Sequence, residues 1–161
     1  MQNPYIPYPV VVDKIITEVD TKDIKTFRFK FVNPEDEAKY SYVPGQFGEL
    51  SIYGKGESPI GIASSPTQKG YVEFTVQKAG TVTSALHEME EGTVMGLRGP
   101  LGNSWPLQFL EGKNIVIVGG GFAFTTAVSD QLHDLRRQSQ TLRQYHGYLR
   151  RAKSRPAALQ R

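Results

Sequence analysis

The alternation across residues 24–32, I-K-T-F-R-F-K-F-V, constrains the fold more than any other feature of the chain. Phe27, Phe29 and Phe31 fall on one side of an extended backbone, and Arg28 and Lys30 on the other. Period-two patterning of this kind predicts a half-buried antiparallel strand. Five other segments have strand character: residues 10–19, rich in β-branched side chains, then 46–53, 59–64, 71–78 and 93–97. In residues 71–78, Val72, Phe74 and Val76 share one side. Asp20-Thr21-Lys22-Asp23, Gly54-Lys55-Gly56 and Ser65-Pro66 are turn signals between them, and residues 33–45 read as a polar, acid-rich loop. Six short strands with close turns predict a mainly β fold, a small closed antiparallel barrel.

One helix interrupts this series before the last strand. Residues 79–92 read A-G-T-V-T-S-A-L-H-E-M-E-E-G. Gly80 frees the backbone from the preceding strand, residues 84–91 read as a short helix, and Gly92 takes the position after its end. A helix start leaves N–H groups unpaired and a partial positive charge, which suits a phosphate. The same stretch also reads as a plain connection capped by threonine or serine.

Residues 114–118, N-I-V-I-V, are continuously apolar and end in Gly119-Gly120-Gly121. A strand buried on both faces begins a parallel α/β unit in this way. A helix and a second strand should follow, yet residues 127–161 give a weak helical stripe (Leu132, Leu135, Leu142, Tyr145) and no strand. The charge balance changes at the same place. Residues 1–126 hold 11 Lys+Arg against 14 Asp+Glu, whereas residues 127–161 hold 8 against 2. The predicted organisation is therefore a barrel over residues 1–110, a truncated nucleotide-domain start over 111–126, and a natively unstructured basic tail over 127–161. A frameshift near Thr126 accounts for the abrupt join, and a functional basic segment binding an anionic surface is the competing reading.

Four motifs occur in fixed order ahead of the glycine triplet: residues 42–47 (Y-V-P-G-Q-F), 62–66 (I-A-S-S-P), 80–88 (G-T-V-T-S-A-L-H-E) and 97–103 (L-R-G-P-L-G-N). Together they resemble the ferredoxin–NADP reductase superfamily, above all the gamma subunits of cytoplasmic nickel–iron hydrogenases and sulfhydrogenases. The resemblance covers residues 9–126. It implies an FAD-dependent oxidoreductase subunit in which FAD is clasped between the fourth strand and the helix start. NAD(P)H would exchange a hydride with the flavin, which passes electrons singly to an iron–sulfur partner of hydrogenase or heterodisulfide-reductase type.

Residue by residue, the resemblance assigns FAD to Ser58, Pro59, Ile60 and Gly61, to Val76, and to Gly80, Thr81, Val82 and Thr83, with the Thr83 hydroxyl helping at the phosphate. Family members carry an arginine and a tyrosine at the places of Ser58 and Ile60, so this chain lacks both the charge and the aromatic ring. A bent edge strand is the other reading of residues 58–61. Gly120 and Gly121 match the family's nicotinamide-nucleotide loop, but Ala123 replaces its third glycine and Thr125-Thr126 its Ala-Pro pair.

No cysteine is present, which rules out disulfides and a cysteine-bound iron–sulfur cluster in these 161 residues. Three histidines at 87, 133 and 146 predict no metal site, and His87-Glu88 lacks the second histidine of a zinc-protease helix because position 91 is Glu91. With no membrane-spanning apolar run and no signal-peptide pattern, the expectation is a cytoplasmic protein that binds neither membrane nor nucleic acid. Trp105 is expected in the core or as a lid over the barrel mouth, with a flavin contact as a further reading. Two other functions stay open: a cofactor-free barrel that binds a partner subunit, and a non-functional gene fragment.

Overall fold

The computed structural model describes residues 3 and 5–110 and two further strands, Asn114–Gly120 and Gln144–Arg150. Six strands form one sheet: β1 (Tyr8–Thr17), β2 (Ile24–Phe31), β3 (Phe47–Ile52), β4 (Gly56–Gly61), β5 (Val72–Gln77) and β6 (Val94–Leu101). Their order is β4-β3-β6-β1-β2-β5, and every pairing is antiparallel.

The alternation in β2 works as its sequence predicts. Phe27 and Phe29 have no exposed surface, and Phe27 lies opposite the equally buried Phe74 of β5. Across the outer face Arg28 binds Glu73 at 2.9 Å and Lys30 binds Asp13 at 2.7 Å. Val10, Val12, Leu50, Met95 and Leu97 complete the same core from β1, β3 and β6.

The sheet differs from the predicted closed barrel. Its edge strands, β4 and β5, meet only beyond the end of β4, at one bridge between Ile62 and Phe74, with Ala63 N–H donating to Glu73 O at 2.8 Å. Elsewhere the core is covered by helix α2 (Thr81–His87), which packs on β3 and β4 and contributes Leu86, Val82 and Ala85. A helix that fills the space between two edges leaves no room for a continuous ladder there.

Three helices are present among the described residues where one was expected. Helix α1 (Pro34–Lys39) occupies part of the supposed acid-rich loop. Pro34 stands in its first turn with Glu35, Asp36 and Glu37, and Lys39 in its last, an arrangement that suits the helix dipole. Helix α2 starts three residues earlier than predicted, because Gly80 is its N-cap and Ser84 N–H donates to Gly80 O at 2.8 Å. It ends at His87, so Gly92 is not its terminator. Gly92 has φ of +91° in a later turn, and its N–H donates to Val12 O at 2.7 Å. Helix α3 (Leu107–Leu110) follows β6.

The motif Y-V-P-G-Q-F makes the turn into β3. Gly45 has φ of +99°, and Trp105 donates its N–H to Pro44 O at 2.8 Å. A Cβ at Gly45 would stand 2.9 Å from the indole, so glycine serves both the turn and the close approach. Trp105 is 42% exposed and is therefore not a core residue.

Strand β7 (Asn114–Gly120) forms where the apolar run predicted it. The tail departs from expectation: Gln144–Arg150 is strand β8, parallel to β7 from Asn114 opposite Gln144 to Gly120 opposite Arg150. A ladder uses main-chain groups that any sequence supplies, and Y-H-G-Y-L carries two tyrosines of good strand propensity. The remainder of the supposed tail lies outside the described residues.

Candidate functional site

The expected cofactor residues come from two elements that pack together. In β4, Gly56, Ser58 and Ile60 pair with Ile52, Leu50 and Gly48, all buried, so these three share the inward side of the strand. A Cβ at Gly56 would lie 3.7 Å from Val82 Cγ2, which sets the start of β4 against the first turn of α2. Ser58 stands one step along the same side, and Ile60 packs against the core. Pro59, without an N–H, is tolerated because β4 is an edge strand. Pro59 and Gly61 point to the other side, away from Ser58.

The first turn of α2 is held by Thr83. Its Oγ1 accepts hydrogen bonds from Ala79 N–H (3.0 Å) and Gly80 N–H (2.8 Å) and donates to Gly80 O at 3.2 Å. The hydroxyl expected to face a phosphate is thus spent on shaping the loop. The N–H groups of Thr81, Val82 and Thr83 have no protein acceptor among the described residues, and the space beside Gly80 is open to beyond 4 Å. Main-chain donors with room in front of them suit a pyrophosphate. Ile60 offers an apolar contact and no ring to stack on. What these two elements offer a ligand is main-chain donors at the start of α2 and the partly buried Ile60 of β4.

No arginine of residues 5–110 is free to replace the absent one. Arg28 is tied to Glu73 and lies 4.1 Å from the Tyr71 ring centre. Arg98 binds Glu57 at 2.7 Å, and Ser51 donates to the same carboxylate. Arg98 and Ser51 together hold the Glu57 carboxyl below its ordinary range. The Val76 side chain has no exposed surface and belongs to the core, which leaves its main chain as the part that could meet a cofactor. Gly120 ends β7, while Gly121 lies outside the described residues.

Sequence reasoning missed His87 as the residue that docks α2. It is 8% exposed, sits edge-on to Phe27, and its Nε2 lies 3.0 Å from Val76 O. Lys25 Nζ donates to the His87 carbonyl at 3.0 Å. Burial, with Lys25 and Lys78 nearby, pushes the imidazole below its ordinary 6.5, against the Val76 bond and Asp23, which favour the charged form. A depressed histidine stabilises the fold fully above the unfolded value, and that contribution is lost as pH falls from about 6.5 towards the folded value. His87→Phe is expected to flatten that part of the stability–pH curve. Urea unfolding of both proteins between pH 7 and 5 checks it, and parallel curves would disprove the assignment.

The curled antiparallel sheet with a helix between its edges is the architecture of the ferredoxin-reductase flavin domain. The oxidoreductase FAD-binding domain family matches residues 12–105, and the chain belongs to that family. It is 40% identical over 119 residues to sulfhydrogenase 1 subunit gamma of Pyrococcus furiosus, covering 74% of this chain and 40% of the relative. It is 33% identical over 99 residues to a probable dihydroorotate dehydrogenase B (NAD(+)) electron transfer subunit of Pyrococcus abyssi, covering 62% and 34%. The chain thus spans about 40% or less of the length of these relatives. A ferredoxin NADP+ reductase from Neisseria gonorrhoeae with bound FAD and NADP superposes with a TM-score of 0.71 at 19% identity, over 92% of this chain and 58% of that one. No helix of the described residues is long and apolar enough to cross a membrane.

Proposed function

We propose that these residues hold FAD in an electron-transfer subunit, between a nicotinamide nucleotide and an iron–sulfur partner subunit. The observation that carries the reading is the first turn of α2, with three uncommitted N–H groups, set against the inward side of β4 within the matched span. Gly80 to Thr83 would hold the pyrophosphate through main-chain N–H groups, and Ser58 and Ile60 would border the cofactor from β4. Bound flavin supplies the exchange between two-electron and one-electron chemistry. The chain's own part is to bind, orient and shield it. Glu57 lies on the opposite side of β4 from Ser58, paired there with Arg98.

Gly120 and Gly121 would belong to the nicotinamide loop. Ala123 and Thr125-Thr126 depart from its pattern, so these 161 residues by themselves are expected to oxidise NAD(P)H slowly. Dye reduction by the FAD-loaded chain with NADH or NADPH tests this, and turnover at rates ordinary for an enzyme would contradict it. The change of composition near Thr126 is read as a change of frame, and a coding sequence that forbids an apolar strand one base later would end that idea. A cofactor-free, partner-binding barrel is the second reading, favoured by the uncharged Ser58 and the non-aromatic Ile60.

A further inference from the structure

Helix α2 is fastened at its two ends by different means. Val82 in its first turn packs on the core, as do Ala85 and Leu86 further along. Its last residue, His87, is buried edge-on to Phe27 of β2, with ring centres 5.6 Å apart, and places Nε2 3.0 Å from Val76 O of β5. A carbonyl oxygen only accepts, so Nε2 carries the hydrogen of the neutral ring and Nδ1 is a bare acceptor. Nδ1 is buried and has no hydrogen-bond partner among the described residues. A proton on it would put a charged N–H in a place that offers no acceptor, which a buried site tolerates poorly.

The charged groups about the ring do not repair this. Lys25 of β2 donates Nζ to His87 O at 3.0 Å, and Lys78, just past β5, lies 3.9 Å from the mostly exposed Glu88 that follows His87. Both lysines oppose an imidazolium. Asp23, ahead of β2, favours one, but its carboxylate already accepts from Thr21. A neutral ring therefore fits its seat and a protonated one does not. A helix of seven residues does not hold by itself in water, so α2 loses its hydrogen bonds once that seat is vacated.

We propose that His87 is a proton-released latch: on taking up a proton it leaves its seat, and α2 opens from β2 and β5 while the six strands stay paired. Local opening is drawn from the least buried parts of a fold, and of the residues in α2 only Leu86 and His87 are buried. One consequence rests on the FAD reading given above. The first turn of α2 borders the flavin in that reading, so the same proton would speed its release.

Hydrogen exchange of the full chain without FAD, followed by mass spectrometry, reads the opening itself. Ser84, Glu88 and Met89 donate their N–H groups to the Gly80, Ala85 and Leu86 carbonyls, so these amides exchange when α2 opens. With rates corrected for the chemical effect of pH, their protection should fall several-fold from pH 8 to pH 5. The ceiling is about thirtyfold, set by one histidine that titrates at its ordinary value in the open state. Protection of β2 and β5 should hold. His87→Gln keeps a donor for Val76 O and takes up no proton, so its α2 protection should not depend on pH. His87→Phe gives the same reading should that variant fold poorly. Unchanged protection in the parent, an equal fall in the variants, or loss from α2 and the strands together would each overturn the proposal. Loaded FAD should leave the parent faster in acid by a similar factor, and the variants at a constant rate. A release rate that ignores pH would overturn the flavin link alone. FAD that binds at no pH would overturn the flavin reading, with the latch decided by exchange.

Discussion

Replacing Ser58 by arginine is expected to tighten FAD binding about tenfold to a hundredfold, because hydrogen bonds to a charged group contribute about 1.5–3 kcal/mol. Ser58 shares the inward side of β4 with Gly56, which faces Val82 in the first turn of α2. A guanidinium there reaches towards the N–H groups proposed to hold the pyrophosphate, and its planar fork matches phosphate oxygens. Among residues 5–110 no arginine is spare to do this, since Arg28 and Arg98 are both paired. Fluorescence titration of FAD against the parent and Ser58→Arg proteins measures the gain. An unchanged or weaker affinity would mean that the phosphates do not lie beside Ser58.

The second large effect is on stability. Phe74→Ala should cost about 3–5 kcal/mol, the usual range for emptying a fully buried aromatic site. Phe74 has no exposed surface, stands opposite Phe27, packs at 5.9 Å from the Phe29 ring, and pairs with Ile62 at the single bridge between the sheet edges. Few positions join so many parts of the core. Gly48 shows how tightly that core is filled, since a Cβ there would come 2.8 Å from Leu97 Cδ1 and 3.1 Å from Phe74 Cζ. Phe109→Ala, at a side chain 67% exposed, should change stability by less than about 0.5 kcal/mol. Urea midpoints followed by circular dichroism compare the two. Similar losses at both positions would contradict the assignment of the core.

The strands were legible in the sequence because burial of one face imposes a period of two. Phe27, Phe29, Val72, Phe74 and Val76 all went where that period sent them. Val76 belongs to that buried row, its side chain without exposed surface. Helix α1 carried its signals in N-P-E-D-E, but acids between two strands also read as loop. The start of α2 was hidden by Thr81, Val82 and Thr83, whose β-branched side chains disfavour helix, while Val82 packing on the core and the Thr83 bonds to the loop override that preference. Whether the sheet edges would meet was not legible at all, because closure depends on what fills the gap. His87 looked like half of a metal motif, and only the fold shows it bridging α2 to β5.

The most direct test of the account is a visible absorption spectrum of the purified chain, reconstituted with FAD and freed of excess. Flavin bands are expected to stay with the protein in near-equimolar amount, retained through backbone donors without the arginine or the tyrosine. A folded but colourless protein would contradict it, and the barrel would then be read as a partner-binding module that carries no cofactor.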